Sequence, residues 1–534
     1  MANSQLSFLV LALSCILSVS ADVYLSIDCG TSDSYKDTNL LDWTGDDNYI
    51  KNGESHTVQS NSSISRALDT LRVFTTRNKN CYRIDSIRKG RVLVRASFNY
   101  GNYDNRSSPP SFDLHFDGNY WATVRTSSMG NVYYEVIYSM KKDWISVCLA
   151  QTEQGQFPFI SALEIRGLEA NMYRYGDDTL EIYNYPLFLR TRVAFGSNST
   201  VRYADDHYDR IWSPVSVARG SRLTQATSNA TFGGGTFVAE LPPPAVMKNA
   251  VTAVSRNSTI NLNMGLPSFE IPVYANWYFS EVAQLQPNET RTFTLHVNNA
   301  STPPFSPPYD NCSEWYISNF SLSSNDTITL VPTANSTLPP LINAMEIFSL
   351  GDALTNGTNT NDVEGLASLQ RAFDVLQDWN GDPCLPANYT WDWIQCNTDN
   401  TPRVTALFLG SFGLSGILPN FSSMNALQKI DLHNNSLNGS IPVFLGTLPS
   451  LNELNLANNN FGGSVPASLS QRNGLNLTLS GNHNLCTSGN SCVSSESTQN
   501  TTNNSSGSEK IINHLSIIPA FIFIIWFVVG VQYS

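Results

Sequence analysis

The chain has 534 residues, of which 14% are charged, and a formal net charge of −13. This length predicts several domains. The acidic balance and the lack of any Lys/Arg cluster argue against a nucleic-acid partner, because phosphate binding requires basic patches.

Residues 1–21 have the pattern of a secretory signal peptide. An apolar core covers 6–19, and the small residues Val19, Ser20 and Ala21 precede a predicted cleavage site at Asp22. The alternative is an uncleaved anchor. That alternative is disfavoured because the core is shorter than the roughly 20 residues of a membrane-spanning helix.

Sequons indicate the same secretory route. Twenty Asn-x-Ser/Thr sequons occur, none with proline in the middle, and they predict an N-glycosylated extracellular protein. The sites assigned to glycosylation are Asn61, Asn105, Asn198, Asn229, Asn257, Asn288, Asn319 and Asn434.

The cysteines fit an oxidising compartment. Eight remain once Cys15 is removed with the signal peptide. Close spacing suggests two disulfides, Cys384–Cys396 and Cys486–Cys492. The pairing of the other four cannot be read from the sequence. These four are Cys29, Cys81, Cys148 and Cys312.

Residues 22–350 are predicted to be mainly β. Short runs rich in Val, Ile and aromatic residues, such as 92–94 and 132–138, are separated by Gly, Pro and Asn. This pattern favours β-sandwiches over a parallel α/β sheet.

A duplication divides this region into two related units, 22–188 and 189–350. Two short segments recur in the same order and at nearly the same spacing. The matches are 112–116 with 293–297 (FDLHF, FTLHV) and 160–165 with 342–347 (ISALEI, INAMEI).

Residues 351–402 are predicted to form a linker and a helical cap. The linker is rich in Asn, Thr and Gly, and Asp362 is placed to cap a helix. The helix is predicted to end near Trp379. The apolar positions at helical spacing are Val363, Leu366, Leu369, Phe373 and Leu376.

Residues 403–492 contain a leucine-rich repeat. The pattern around Leu427, Leu432 and Asn435 recurs 24 residues later around Leu451, Leu456 and Asn459, within the range typical of such repeats. The leucines should stack inward, and each asparagine should satisfy backbone groups at a bend. The two predicted disulfides would close the caps that such a stack requires.

The C-terminal residues predict a stalk followed by a membrane anchor. Residues 493–510 are rich in Ser, Thr, Asn and Gly, which is typical of a flexible linker. The apolar segment in 511–534 fits either a membrane-spanning helix or a GPI-anchor signal, and both readings stay open.

Four motifs carry a resemblance to a known family. They are SIDCG at 26–30, VRASFNYGNYD at 94–104, YDRIW at 208–212 and WNGDPC at 379–384. With them the chain resembles the malectin-like/leucine-rich-repeat proteins of plants, which include receptor kinases and their kinase-less relatives. The resemblance covers about 22–486. It implies a mainly β fold, with two tandem malectin-like β-sandwiches followed by a short leucine-rich-repeat solenoid. The ending at a hydrophobic segment resembles a kinase-less receptor-like protein.

Enzymatic chemistry is not expected. Neighbouring carboxylates point to opposite faces of a strand, so they suit a glycosidase poorly and are predicted to lie in solvated turns. No nucleophile motif, metal-ligand spacing or phosphate loop is present, and we expect no catalytic residue, metal or cofactor. The carboxylate pairs are Asp46-Asp47, Asp177-Asp178 and Asp205-Asp206.

Two candidate binding surfaces follow. The first combines aromatic and acidic side chains suited to sugar or peptide binding, although packing and turn formation are the alternative explanation. It consists of Tyr100, Tyr103, Asp104, Asp117, Tyr120 and Trp121. The second is the concave face of the repeats, next to the sequon at Asn476, whose glycan would obstruct it. It consists of Phe408, Lys429, Asp431, His433, Glu453 and Asn455.

We therefore expect a receptor-like glycoprotein on the extracellular face of the plasma membrane. It would bind a carbohydrate or a secreted peptide and act beside a receptor-kinase ectodomain. The alternative is a cell-wall glycan-binding tether without a signalling role.

Overall fold

The computed structural model describes residues 24–174, 185–217, 222–232 and 238–486, which belong to one compact unit. The predicted signal peptide, stalk and membrane anchor lie outside these ranges, as does Cys492. No helix within the described ranges combines the length and the apolar character needed to cross a membrane.

Residues 24–167 form a β-sandwich. Side chains of the long strand β7 pack against those of β8 and β11 in the facing sheet, which has the order β6-β11-β8-β9. The strands are β1 Tyr24–Asp28, β2 Ser34–Lys36, β3 Asp42–Gly45, β4 Glu54–Thr57, β5 Thr70–Val73, β6 Lys79–Ile84, β7 Arg91–Phe98, β8 Ser111–Phe116, β9 Asn119–Arg125, β10 Val132–Ser139, β11 Ile145–Ala150, β12 Phe159–Ile160 and β13 Ala162–Gly167. Short 3-10 helices lie at Ser60–Ser62 and Arg66–Leu68.

Residues 187–350 form another sandwich with its own core, between β19 and β25 on one side and the sheet β18-β23-β20-β21 on the other. Its elements are β14 Leu187–Phe195, β15 Ser213–Val215, β16 Leu223–Thr227, α1 Pro244–Met247, β17 Asn249–Ala253, β18 Ile260–Leu262, β19 Ile271–Phe279, β20 Phe293–Val297, β21 Ala300–Ser301, β22 Ser313–Leu322, β23 Ile328–Pro332, β24 Leu341–Ile342 and β25 Ala344–Leu350.

The duplicated segments occupy corresponding strands of the two sandwiches. In the first pair, 112–116 lies within β8 and 293–297 coincides with β20. In the second pair, 160–165 spans β12–β13 and 342–347 spans β24–β25. In the second pair a single residue, Ser161 or Asn343, interrupts the strand where the chain passes from a small sheet to the large one. Similar local sequence therefore produces the same change of sheet twice.

One sheet continues through both sandwiches. Its order is β2-β3-β1-β13-β7-β10-β14-β25-β19-β22, with β15 beside β14. The joining contact is the antiparallel pairing of β10 with β14, where Val136 lies opposite Phe188. The two sandwiches therefore share backbone hydrogen bonds, which the duplication does not predict.

Buried ion pairs cross this shared sheet. Glu135 on β10 lies between Arg95 on β7, at 3.0 Å, and Arg192 on β14, at 2.7 Å. Arg192 also pairs with Glu346 on β25, 2.5 Å away. All four side chains are fully buried. Each charge therefore depends on its partners for the solvation that water would otherwise provide.

The YDRIW motif completes this network. Asp209 accepts hydrogen bonds from Arg166 at 2.7 Å and from Arg202 at 2.8 Å. Burial alone would raise the pKa of the Asp209 carboxyl, but Arg95 and these two arginines hold it below its ordinary value. Arg210 donates to the Tyr173 hydroxyl at 3.1 Å. The motif is therefore part of the buried framework.

The second sandwich contains a carboxyl pair in which Glu240 is buried and Glu314 is half-buried. Glu240 accepts a hydrogen bond from the Tyr173 amide at 3.1 Å and is hydrogen-bonded to Glu314. Burial, together with the Glu240 carboxyl, raises the pKa of Glu314 to about 10. Glu314 is therefore protonated at neutral pH.

Glu314→Gln should stabilise the protein at neutral pH by about 1 to 3 kcal/mol, since one pKa unit corresponds to about 1.4 kcal/mol. The folded-state pKa is raised, so the contribution of Glu314 to stability is complete below pH 4.5 and is lost as the pH rises toward 10. Thermal midpoints measured from pH 5 to 8 should diverge progressively between Glu314→Gln and the wild type. The exposed Glu153→Gln serves as control, and parallel curves for Glu314→Gln would contradict the assignment.

The helix of the cap begins earlier than predicted and also ends earlier, at Ala372 and not near Trp379. Helix α2 covers Thr360–Ala372, and its N-cap is Asn359, whose side chain accepts a hydrogen bond from the Asn361 amide. The prediction that Asp362 caps this helix is wrong. Asp362 is buried in the first turn and pairs with Arg403 at 2.8 Å. The chain continues through 3-10 helices Asp374–Leu376 and Ala387–Tyr389.

The repeats stack as two ladders of parallel strands, with orders β27-β29-β31-β33 and β28-β30-β32-β34, and β26 pairs antiparallel with β27. Their apolar side chains form a separate core. The elements are β26 Ile394–Cys396, β27 Val404–Phe408, β28 Ser415–Ile417, β29 Lys429–Asp431, β30 Ser436–Ser440, a 3-10 helix Val443–Thr447, β31 Glu453–Asn455, β32 Asn460–Ser464, α3 Ala467–Ser470, β33 Asn476–Thr478 and β34 Asn484–Cys486.

The repeat asparagines tie successive turns together. The Asn459 amide donates to the carbonyls of Leu432, at 2.9 Å, and Leu456, at 3.2 Å. Its Oδ1 accepts from the Leu437 amide at 3.0 Å. Asn435 and Asn482 make the equivalent contacts.

Asn459→Ala should lower the free energy of unfolding by about 2 to 4 kcal/mol, because it leaves several buried backbone groups without partners. Urea denaturation followed by tryptophan fluorescence measures the loss. Asn452 is exposed and directly precedes β31. Asn452→Ala should therefore change stability by less than about 0.5 kcal/mol. Equal effects of the two substitutions would contradict this role of Asn459.

Two disulfides lie in the described ranges, Cys81–Cys148 between β6 and β11 and Cys384–Cys396 in the cap. Cys29 and Cys312 are buried free thiols. The predicted partner of Cys486 lies outside the described residues.

Candidate functional site

The six residues of the first candidate surface fall into two groups. In the turn after β7, Tyr100 is buried and its hydroxyl donates to Asp104 Oδ1 at 2.6 Å. The half-buried Tyr103 ring lies 5.7 Å from the Tyr100 ring. Tyr103 and Asp104 are therefore the members of this group that reach the surface.

The second group lies around β9. Asp117 has both carboxylate oxygens in use, since it accepts from the Ser146 amide at 2.8 Å and the Tyr138 hydroxyl at 2.9 Å. Trp121 is 5% exposed, whereas Tyr120 is 54% exposed. Tyr100, Asp117 and Trp121 thus contribute to packing, and Tyr103, Asp104 and Tyr120 remain as surface groups.

The expectation of solvated turns at the paired carboxylates is wrong for one member of each described pair. Asp46 is buried and pairs with Arg72 at 2.5 Å. Asp206 is buried and accepts from Arg210 at 2.8 Å. In each pair the neighbouring residue faces solvent, and Asp177-Asp178 lies outside the described residues.

The repeat strands place the second candidate surface in register. Phe408, Asp431, Asn455 and Thr478 form one column across β27, β29, β31 and β33. Phe408 is 36% exposed. The neighbouring column contains Lys429, Glu453 and Asn476. Asn476 is exposed. A glycan on Asn476 would therefore border this face.

Charged side chains on this face pair with one another. Lys429 Nζ lies 2.8 Å from Glu453 Oε1, and His433 Nδ1 lies 2.7 Å from Asp431 Oδ1. Gly410 leaves room for the His433 ring, because a Cβ at that position would lie 2.4 Å from it. Exposed aromatic, acidic, basic and amide groups thus occur side by side, a combination that suits a polar ligand or a protein partner.

The first sandwich and the repeat cap are joined directly. Gly381 of the WNGDPC motif has φ +78°, and a Cβ there would lie 2.5 Å from Cys81 Sγ and 2.7 Å from Cys148 Sγ. The turn therefore packs its backbone against this disulfide. Asp382 is buried and accepts from the Thr358 amide at 2.8 Å and the Leu385 amide at 3.0 Å.

Basic side chains from β6 and the loop before it fasten this junction. Lys79 Nζ donates to the Asp382 carbonyl at 2.7 Å and the Leu385 carbonyl at 2.9 Å. Burial lowers the pKa of Lys79 to about 8. Arg77 donates to the Asp378 carbonyl at 3.0 Å. These contacts to main-chain oxygens fix the cap relative to the sandwich.

A cleft of about 490 Å³ opens beside this junction. Trp144 comes from the sandwich, while Trp379 and Trp391 come from the cap, and helix α2 contributes Leu366 and Arg371. Sequence patterns do not reveal this cleft, because its walls are more than 200 positions apart. The concentration of tryptophan residues around the WNGDPC motif was the sequence signal that could have indicated this cleft.

Among the described residues no group of His, Cys, Asp and Glu side chains is arranged to hold a metal ion.

The malectin-like domain family matches the chain over residues 27–350. The chain is 35% identical over 430 residues to the probable LRR receptor-like serine/threonine-protein kinase At1g05700 of Arabidopsis thaliana, a match that covers 78% of this chain and 49% of the relative. It is 34% identical over 426 residues to the putative leucine-rich repeat receptor-like protein kinase At2g19210 of the same plant, covering 76% and 47%. The chain thus spans about half the length of these relatives.

Solved ectodomains share the fold. The extracellular domain of ANXUR1 from Arabidopsis thaliana superposes with a TM-score of 0.51 at 17% identity, covering 62% of this chain and 97% of that one. The ANX2 ectodomain from the same plant gives a TM-score of 0.51 at 15% identity, with the same coverage.

Proposed function

The chain belongs to the malectin-like domain family, and we propose that it is a receptor-type recognition protein of the plant cell surface. Its ectodomain binds a carbohydrate or secreted peptide and acts beside a receptor-kinase ectodomain at the extracellular face of the plasma membrane. The single observation that carries this proposal is the repeat face, whose exposed side chains are held in register without serving the core.

Three further observations support the proposal. The assigned sequons at Asn61, Asn105, Asn198, Asn229, Asn257, Asn288 and Asn434 are exposed, as glycosylation requires. The relatives are named as receptor-like kinases. One member of each described carboxylate pair, Asp46 or Asp206, is committed to a buried ion pair, which favours binding over hydrolysis.

An array experiment tests this function. The secreted, glycosylated protein is applied to saccharides, secreted peptides and receptor-kinase ectodomains. We expect saturable binding to at least one class. The triple variant Phe408→Ala/Asp431→Ala/Asn455→Ala should weaken that binding at least about 10-fold, which corresponds to about 1.4 kcal/mol.

The matched control changes three exposed residues of the other ladder and its adjoining helix, Ile417→Ala/Ser440→Ala/Val443→Ala, and should bind like the wild type. The absence of any ligand would reject the proposal. Glycan binding without a receptor partner after crosslinking would favour a cell-wall tether instead.

A further inference from the structure

We propose that Asn299 carries an N-linked glycan whose first sugar, N-acetylglucosamine, packs into an apolar cleft at one edge of the second sandwich. This inference concerns a glycan attached to the chain itself. It does not depend on the proposed function, which concerns external partners of the repeat face.

The cleft lies where each sheet of the second sandwich ends in an edge strand. Among the described strands, β22 pairs only with β19, and β21 pairs only with β20. The cleft between these edges has a volume of about 310 Å³, at the lower end of the roughly 300 to 1,000 Å³ typical of ligand pockets. This volume suits a small ring better than a long oligosaccharide.

The cleft presents accessible apolar surface. Phe320 on β22 is 46% exposed, and Trp315 and Ile317 on the same strand are half-buried. Residues 300–303 form the opposite rim, and the floor belongs to the sandwich core. None of the lining residues is charged. An uncharged ligand with an apolar face, such as a sugar ring, fits this lining.

A glycosylation sequon lies on the rim of the cleft. It is Asn299-Ala300-Ser301, and both Ala300 and Ser301 line the cleft. Asn299 is exposed in the tight turn between β20 and β21, and a surface loop is the usual place for an N-glycan. The sequon at Asn319 lies instead within β22, a strand paired with β19. We therefore assign the cleft to the Asn299 glycan.

The attachment is a glycosyl transfer in the secretory pathway, which the signal peptide predicts. Asn299 Nδ2 forms a bond to the anomeric carbon of N-acetylglucosamine and loses a proton. The bond from that carbon to the diphosphate of a lipid-linked oligosaccharide donor breaks, and the diphosphate leaves. The attached sugar then has a high effective concentration beside the cleft, so weak contacts are sufficient to hold it there.

The glycan protects an edge of the large sheet. An edge strand with exposed apolar side chains invites pairing between molecules, and β22 with Phe320 has both features. A sugar in the cleft covers the Phe320 ring, and the rest of the glycan hinders approach to the strand.

Endoglycosidase H treatment of the native secreted protein, produced with high-mannose glycans, tests the site. Mass spectrometry follows release at each sequon. We expect Asn299 to be glycosylated and its glycan to be released at least about 10-fold more slowly than the glycan on Asn257, which corresponds to about 1.4 kcal/mol. Asn257 is the matched control, because it is exposed in the turn before β18, at the opposite edge of the same small sheet. Denaturation should make the two rates equal.

Substitutions separate the glycan from the cleft. Phe320→Ala should bring release at Asn299 to within about 3-fold of release at Asn257, with both glycans still attached. Asn299→Gln leaves the cleft intact but uncovered. It should increase binding of a hydrophobic dye and promote self-association in sedimentation, whereas Asn257→Gln should behave like the wild type.

An unmodified Asn299, or equal release at Asn299 and Asn257 in the native protein, would overturn the inference. Dye binding that rises in Asn319→Gln but not in Asn299→Gln would assign the cleft to the other glycan. A glycosylated wild type that dimerises, and that Phe320→Ala converts to a monomer, would assign the cleft to a second copy of the chain. Each of these results leaves the proposed function of the repeat face untouched.

Discussion

Gly381→Ala is expected to detach the repeat cap from the first sandwich, at a cost of about 2 to 5 kcal/mol. The positive φ of +78° costs an L residue about 1 to 2 kcal/mol. The added methyl group would also lie 2.5 Å from Cys81 Sγ and 2.7 Å from Cys148 Sγ, and overpacking of this kind typically costs about 1 to 3 kcal/mol. A disulfide cannot rotate away as a free side chain can.

Gly474→Ala is the matched control for this substitution. Gly474 has the same φ, +78°, but nothing lies within 4 Å of the position that an added Cβ would occupy, so it isolates the backbone cost. Hydrogen exchange and limited proteolysis around 379–391 would report the junction, and urea denaturation the total loss. Equal losses in the two variants would contradict the packing of the turn against the disulfide.

Glu135→Gln is expected to lower the free energy of unfolding by about 3 to 5 kcal/mol, because it removes the carboxylate that two buried arginines share and leaves their charge only partly compensated. Arg95 and Arg192 lie 3.0 Å and 2.7 Å from this carboxylate, and all three side chains are fully buried. Glu135 also lies where β10 meets β14. The loss should therefore appear as weakened cooperativity between the sandwiches, measurable as separate transitions in calorimetry.

Two comparisons isolate the buried charge. Asp42→Asn removes the exposed pair with Lys36 and should cost less than about 1 kcal/mol. Glu135→Leu/Arg192→Met removes both members of a buried pair and should recover part of the loss. A Glu135→Gln effect as small as that of Asp42→Asn would mean that water or rearrangement compensates the arginines.

Local patterns in the sequence predicted much of the fold. Leu427, Leu432 and Asn435 repeat at a fixed period, so each turn could be read from its neighbours. The segments 112–116 and 293–297 likewise revealed equivalent strands. Regular spacing translates directly into which side chains point inward, and the strands of the structure follow that spacing.

Contacts between distant segments could not be predicted. The pairing of β10 with β14, the Cys81–Cys148 disulfide and the junction cleft join positions that carry no shared periodicity. Asp46 and Asp206 looked like turn residues because the sequence does not reveal their arginine partners. Arg72 is distant from Asp46 in the sequence, and Arg210 is brought to Asp206 by the conformation of a loop. Tyr100 and Trp121 looked like ligand contacts because composition does not reveal burial.

The most direct test of a binding role for the repeat face is site-specific photo-crosslinking on intact plant cells. A photoreactive amino acid replaces Phe408 on the repeat face, and in a control protein it replaces Val443, which is 64% exposed away from that face. If the repeat face binds a partner, we expect the photoreactive residue at position 408 to form an adduct with a receptor-kinase ectodomain or a secreted peptide. We expect no adduct from position 443. Equal labelling from both positions, or none from either, would contradict a binding role for this face.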